Sequence, residues 1–580
     1  MKHRMPLACT VCAALLTLTG CVDDKYDLSD IDTTSRIEVN DLTIPVNIDP
    51  FTLESMFDLD EEDPDEKIKV IDGVYCVTEK GSFTSSEIII DRINLGAVPG
   101  TASSDQISTG VSGNLPANQT VAITFSTGEA SVSYSTTDVP AEIKAIKSLK
   151  ADFDISYTLV LKELVNKVSK LKFDAIDVQF PAGLTGVPSV GSYNGDTGIL
   201  HIPAADASKP SLDVTLHCSA IDFKKIGGEF DPDTHTAKID LKVRIIAGGL
   251  SFNSSDLTGA MPATVTLEGE STITAMTVNA FSGRIEYNIE GVNIDPVVLN
   301  DLPDLLQQKE TKINILNPQI YLNVENPLSS YKLEATTGFV INSEFTADDG
   351  EVILTTTHEL DNPGFFTVSS ASSSDYCLSP KEPTPWAAGY TPGLHVPYTS
   401  LSSVLEGNGL PARLNIALKS PKVFNQPVDD LHLGVGLGEV KGHYDFLAPL
   451  ALGEKSQVVY TKLCDGWNDE DVDAITIETL IVKTKVTSHV PFDLTFTGYP
   501  VDVNGNQING VKIEGADVPA GSVDKEVTIR ITGKVTHLDG INFTATGFVP
   551  ADMKAPLAPE QAIDCADIRA NVSGYYIKKF

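Results

Sequence analysis

At 580 residues the chain is too long for a single hydrophobic core and should divide into several domains. Its 42% hydrophobic content, with 43 Gly and 33 Pro, belongs to a folded, turn-rich protein and argues against disorder. A formal charge of −37 repels phosphate backbones and anionic lipid, which excludes DNA and RNA as ligands.

The chain opens with Lys2 and Arg4, an apolar run from Leu7 to Leu18, and then Leu18-Thr19-Gly20-Cys21. Twelve apolar residues are too few to span a bilayer, so the run is a targeting segment. It resembles the bacterial lipoprotein signal, whose lipobox is matched at all four positions. The resemblance implies cleavage before Cys21 and acylation of that residue, and several acyl chains together hold a protein stably on a membrane. The next residues, Val22-Asp23-Asp24-Lys25 and Tyr26-Asp27-Leu28-Ser29-Asp30, resemble the acidic start of surface-exposed outer-membrane lipoproteins of the Bacteroidota. That likeness implies export to the cell surface. Asp32-Thr33-Thr34 is similar to the short O-glycosylation motif of the same group.

Loss of the signal leaves 40 basic against 79 acidic residues, a formal charge of −39. Five cysteines remain after Cys9, Cys12 and Cys21 are set aside: Cys76, Cys218, Cys377, Cys464 and Cys565. None has metal-ligand spacing, so no metal and no cofactor is expected. In an exported protein Cys377 with Cys464 is the favoured disulfide.

From Arg36 onward short runs of alternating apolar and polar residues are bounded by Gly, Pro, Asn and Asp. Examples are 67–78, 87–95, 119–135, 149–161, 171–180, 211–223 and 237–252. One exception has helical spacing, Leu161, Leu164, Val165, Val168 and Leu171. The pattern predicts an all-β fold of tandem antiparallel β-sandwich modules, immunoglobulin-like, with a few short helices.

One phrase occurs twice, 246 residues apart: Val46-Asn47-Ile48-Asp49-Pro50 and Val292-Asn293-Ile294-Asp295-Pro296. Asp followed by Pro is a helix-start pair, so each phrase reads as a strand-to-helix corner capped by Asp49 or Asp295. Further matches keep the same order. Arg36-Ile37-Glu38 is answered by Arg284-Ile285-Glu286, Ala205-Asp206 by Ala516-Asp517, and Phe281-Ser282-Gly283 by Val572-Ser573-Gly574. Ordered matches point to duplication. The expected organisation is a signal peptide (1–21), an acidic tether (22–35), one β-rich module (36–283) with a sub-domain break near 136–148, and a second module (284–580). The offset grows to 311 residues, which places about 65 extra residues in the second copy, within about 366–470.

That segment carries Tyr376, Trp386, Tyr390, Tyr398 and Trp467 among many prolines. Loops added to a rigid scaffold often carry function, and aromatic faces suit sugar rings or extended peptides, so these five residues are the candidate ligand site. Packing of the segment itself is the structural alternative. Asp502, Asn504 and Asn506 begin like an EF-hand loop, but Gln507 and Ile513 stand where Gly and Glu are needed, so a hairpin at Asn504-Gly505 is expected. His235 follows Asp231 and Asp233, and His443 precedes Asp445, which read as surface turns. No catalytic residue is assigned, for the chain has no HExxH and no GxSxG. The sequence therefore supports a lipid-anchored surface protein that binds a glycan or partner protein without chemistry. A fimbria-like subunit trimmed after Arg36 is the structural alternative, and a glycan-active hydrolase the enzymatic one.

Overall fold

The computed structural model describes residues 34–45, 51–57, 59, 66–347, 350–361, 364–468, 470–550 and 554–579. Cys21, the acidic tether up to residue 33 and the first copy of the repeated phrase, including Asp49, lie outside the described residues. Within them the protein is all-β, and its helices are single turns such as Leu53–Phe57 and Asp304–Gln307. The alternation read from the sequence governs burial. Ala130–Thr136, for example, buries every second residue.

The helical reading of residues 160–171 is corrected. Strand Ile143–Leu161 runs through Leu161, a three-residue turn follows at Lys162–Leu164, and Leu171–Phe173 is again strand. Leu161, Leu164, Val168 and Leu171 are all buried, but by cross-strand packing rather than on one helix face. Tertiary pairing overrides local periodicity here.

Two five-strand paths match in their first four members, which follow the chain order second, third, first, fourth in each, whereas the fifth is last in the chain in one path and first in the other. The first runs Leu184–Pro188, Ser211–Asp222, Ile143–Leu161, Met276–Asn288, Arg413–His432; the second runs Lys512–Glu514, Lys525–Val535, Thr476–Ser488, Ala562–Lys579, Thr34–Pro45. The repeated Ser-Gly pairs occupy matching places in them. Ser282 Oγ accepts a hydrogen bond from the amide of Asp430 (3.0 Å), and Ser573 Oγ accepts one from the amide of Asp41 (3.1 Å). Both aspartates are left-handed, at φ 55° and 58°. On the opposite side the partner strand bulges, skipping Lys147 beside Gly283 and Glu478 beside Gly574. A β-carbon at Gly283 would lie 1.9 Å from the Ala145 carbonyl oxygen, and one at Gly574 would lie 2.1 Å from that of Thr476. Each Ser-Gly pair thus joins two irregular neighbours, and glycine alone leaves room for the approaching carbonyl.

The module boundary at 283/284 does not survive. One core joins residues from Phe51 to Phe83 with residues from Val297 to Val572. The other spans Ile88 to Ile285 and takes in Leu328, Leu333 and several residues between Val423 and Leu433. The N-terminal strand Thr34–Pro45 pairs with the C-terminal strand Ala562–Lys579, and Val74–Thr84 pairs with Lys441–Pro449. Segments far apart in the chain therefore close one core, and residues 88–285 supply most of the other, which Leu328, Leu333 and residues between 423 and 433 complete. The expected break near 136–148 is corrected too, since Tyr134, Val139 and Leu149 lie in the same core. The stretch 366–470, expected to hold about 65 extra residues, contributes strands Ser373–Ser379, Arg413–His432, Lys441–Pro449 and Gln457–Cys464 to the sheets.

The second repeated phrase is a crossing between sheets rather than a helix cap. Asn293–Ile294 pairs with Thr84 and Phe83, and Val297–Val298 pairs with Leu414 and Arg413 of another sheet. Asp295 between them accepts hydrogen bonds from Ser82 through its amide (2.9 Å) and hydroxyl (2.6 Å), while its own amide donates to the Ser82 carbonyl. Helix Asp304–Gln307 starts only later, beyond Pro303. After the first phrase the cap of Leu53–Phe57 is Thr52, whose Oγ1 accepts from the Ser55 amide (3.1 Å).

The Ser82 bonds hold the Asp295 carboxyl below its ordinary value of 3.8. A depressed carboxylate stabilises the fold above its unfolded-state value, and that contribution disappears as pH falls through the folded-state value. Asp295→Ala should therefore lower stability at neutral pH by about 1 kcal/mol, modest because the site is exposed, and should flatten the loss of Tm below about pH 4. Thermal melts of both proteins across the acid range test this.

Candidate functional site

The structure disperses the five predicted aromatic residues. Tyr376 and Tyr398 are buried, and their hydroxyls are engaged with the Ser369 amide (2.8 Å) and the His358 carbonyl (3.2 Å). Trp467 is also buried in the larger core, and its amide donates to the Asp539 carbonyl. These three pack the fold and are withdrawn as ligand contacts. Trp386 and Tyr390 remain half-buried and come together.

What brings them together is a topological requirement. Strands Ser373–Ser379 and Leu394–Pro397 pair in parallel, and parallel neighbours need a long crossover. Residues 380–393 supply it as a strap across the outer face of the sheet that contains Gln319–Glu325 and Lys441–Pro449. Tyr321, which the sequence did not single out, is its seat. Tyr390 stacks on Tyr321 with ring centres 4.5 Å apart and planes at 28°, and Trp386 lies 6.2 Å away, tilted by 60°. The Tyr321 hydroxyl donates to Gln319 Oε1 (2.6 Å) and accepts from the Ala387 amide (3.4 Å). Farther along the strap the Ala388 amide donates to Asp72 (3.1 Å), and at its start the Lys381 amide donates to Asn317 (3.0 Å).

Beneath the strap lie Cys76, Cys377 and Leu447. Burial pushes the Cys76 thiol up to about 12 and that of Cys377 up to about 11, so both stay protonated and unreactive at neutral pH. The expected Cys377–Cys464 disulfide is absent and all five described cysteines are free, with Cys464 packed against the larger core instead. Burial likewise raises the Tyr390 phenol to about 12, which keeps its ring neutral. The strap thus offers two preset aromatic rings, neutral and half-open, above an apolar floor.

Elsewhere the polar motifs serve their own turns. Asp502 accepts from the amides of Asn504 and Asn506 (both 2.9 Å), and Asp231 accepts from Asp233 and Thr234. Among the described residues no group of three or more His, Cys, Asp or Glu converges as for a metal ion, and no helix is long and apolar enough to cross a membrane.

No family model and no curated protein matches the chain. Among solved structures, a protein of Parabacteroides distasonis described as secreted aligns over 51% of this chain and 90% of its own, at 17% identity and a TM-score of 0.35.

Proposed function

We propose that the protein is exported, anchored through lipid on Cys21 to the outer membrane, and displayed at the cell surface as a non-enzymatic binding protein for a glycan or a partner protein. The half-open pair Trp386 and Tyr390, held on a strap fixed to Tyr321, Asp72 and Asn317, is the observation that carries this reading. Preset aromatic rings lose little conformational freedom on binding and can lie against sugar faces or apolar side chains. The address rests on the lipobox at 18–21 and the acidic residues behind it.

A glycan array and a surface-protein screen test the reading. Trp386→Ala and Tyr390→Ala should each weaken the ligand found by about tenfold or more, with Tm nearly unchanged because both rings sit outside the two main cores. Binding that survives both substitutions would remove the strap from the proposal. Peptide sequencing of the mature N-terminus separates the fimbria-like alternative, which requires a start after Arg36 rather than at a lipidated Cys21.

A further inference from the structure

Strand Val352–Glu359 is the last strand of a twelve-stranded sheet. It pairs with Ala335–Thr346 on one side, and among the described residues no strand pairs with the other. The open side is covered at one end only. There the Glu359 carbonyl accepts from Ser400 Oγ (2.9 Å), and Ser403 Oγ meets His358 Nδ1 (3.1 Å).

Residues 352–357 lack this cover, and that is where the apolar residues sit. Val352 is 54% exposed, Ile353 60% and Leu354 54%. Natural sheet edges are usually blunted by lysine, proline or a covering segment, and this stretch has none of these. Its open amides can be assigned from the ladder. The Leu360 amide donates inward to the Phe339 carbonyl, and the Glu344 carbonyl, opposite Thr355, is turned away to accept from Ala412. By alternation the amides and carbonyls of Thr355 and Thr357 point to the open side, while Ile353 is the bulge residue that the ladder skips between Leu354 and Val352.

The inner face of the same hairpin overhangs a cleft of about 1270 Å³, lined by Met56 and Phe57 of the first helical turn, Leu305 of the second and Leu302 just before it. Its charged lining is Glu66, Asp301 and Glu406 against Lys309, with Lys67 Nζ 3.5 Å from Asp301. The edge and the cleft together form a strand-shaped site with an apolar floor and an acidic rim.

We infer that the edge 352–357 binds an extended, cationic peptide segment of a partner protein by adding it to the sheet as a further strand. Charge selects this occupant over two others. A second mature copy would bring another −39 to the same edge. The chain's own tether, residues 22–33, carries five aspartates against one lysine. Main-chain bonds to Thr355 and Thr357 would supply affinity, alternate apolar side chains would enter the cleft beside Leu354, and lysine or arginine would meet the carboxylates.

The test uses the full mature chain and a labelled peptide Lys-Val-Lys-Val-Thr-Val-Lys, with a counterpart carrying Glu for each Lys, in a fluorescence anisotropy titration at low salt. The cationic peptide should bind and the anionic one should not. Thr355→Pro, which removes one outward amide while leaving the inward ladder in place, should weaken binding about tenfold or more. In the wild-type chain, hydrogen exchange at Thr355 and Thr357 should slow when the cationic peptide is bound, a readout that needs no variant to fold. Trp386→Ala should leave this binding unchanged, which separates it from the strap. Equal binding of the two peptides, or unslowed exchange at those amides under saturating peptide, overturns the inference. So does an edge-dependent dimer that Thr355→Pro converts to monomer, since it would assign the edge to a second copy.

Discussion

A chain consisting of residues 284–580 alone should fail to fold cooperatively, although a tandem-module reading of the sequence predicts an independent domain. The missing segment supplies Phe51, Leu53, Met56, Phe57, Ile68, Tyr75, Val77 and Phe83, each no more than 9% exposed, to the core that 284–580 would have to close. At about 1.5–3 kcal/mol for each buried side chain, their removal forfeits roughly 12–24 kcal/mol as an upper estimate. Whole domains are stable by about 5–15 kcal/mol. Backbone pairing is lost as well, because Val74–Thr84 lies against Lys441–Pro449 over nine residue pairs and Thr34–Pro45 against the last strand over ten. The fragment should show no sharp thermal transition and should bind a hydrophobic dye. The chain 34–579 melted beside it should keep the sharp transition, because it retains both of these pairings and the pairing of Met276–Asn288 with Arg413–His432. A cooperative melt from 284–580 alone would refute the shared core.

The same comparison shows where sequence reading succeeded and where it lacked the means. Alternation revealed an all-β chain because burial on one sheet face leaves a period of two in the sequence, as in Ala130–Thr136. Sheet partners leave no such trace. Nothing local in Thr34–Pro45 announces that its neighbour begins more than five hundred residues later at Ala562. Asp295 followed by Pro296 matches a helix start as well as it matches a crossing between sheets, and Ser82, which decides between them, is 213 residues away. Aromatic content singled out Trp386 and Tyr390 but could not separate them from Tyr376, Tyr398 and Trp467, whose burial depends on partners distant in the chain. Tyr321 sits in an alternating strand with Ile320, Leu322 and Val324 on the other face. Only the strap laid over it distinguishes it from any outward tyrosine. The Ser-Gly matches carried more than they first conveyed, for they coincide with bulges that the ladder alone reveals.

Those bulges give the second large expected effect. Gly574→Ala should destabilise the larger core by about 1–3 kcal/mol or more, and Gly283→Ala should do the same to the other. The cause is steric and backbone-borne. The new methyl would stand 2.1 Å from the Thr476 carbonyl oxygen and 2.8 Å from the Ile477 α-carbon, or 1.9 Å from the Ala145 carbonyl oxygen in the earlier copy. A flexible side chain could rotate away, but these are backbone atoms of strands Thr476–Ser488 and Ile143–Leu161, which are paired on both sides from Ile477 and Ser148 onward. Relief requires sliding a central strand, which would also strain the Ser573 bond to Asp41 or the Ser282 bond to Asp430. For domains of about 150–250 residues each kcal/mol lowers Tm by about 2–4 °C, so a drop of about 2–12 °C is expected in calorimetry. Gly96→Ala is the control, because nothing lies within 4 Å of the position its β-carbon would take, and it should leave Tm unchanged. The two substitutions act in separate cores, so the double variant should lose the sum of the single losses. A Gly574→Ala protein that melts with the wild type would show that the bulge at Glu478 absorbs a side chain, and the steric account of the repeated Ser-Gly pair would fall with it.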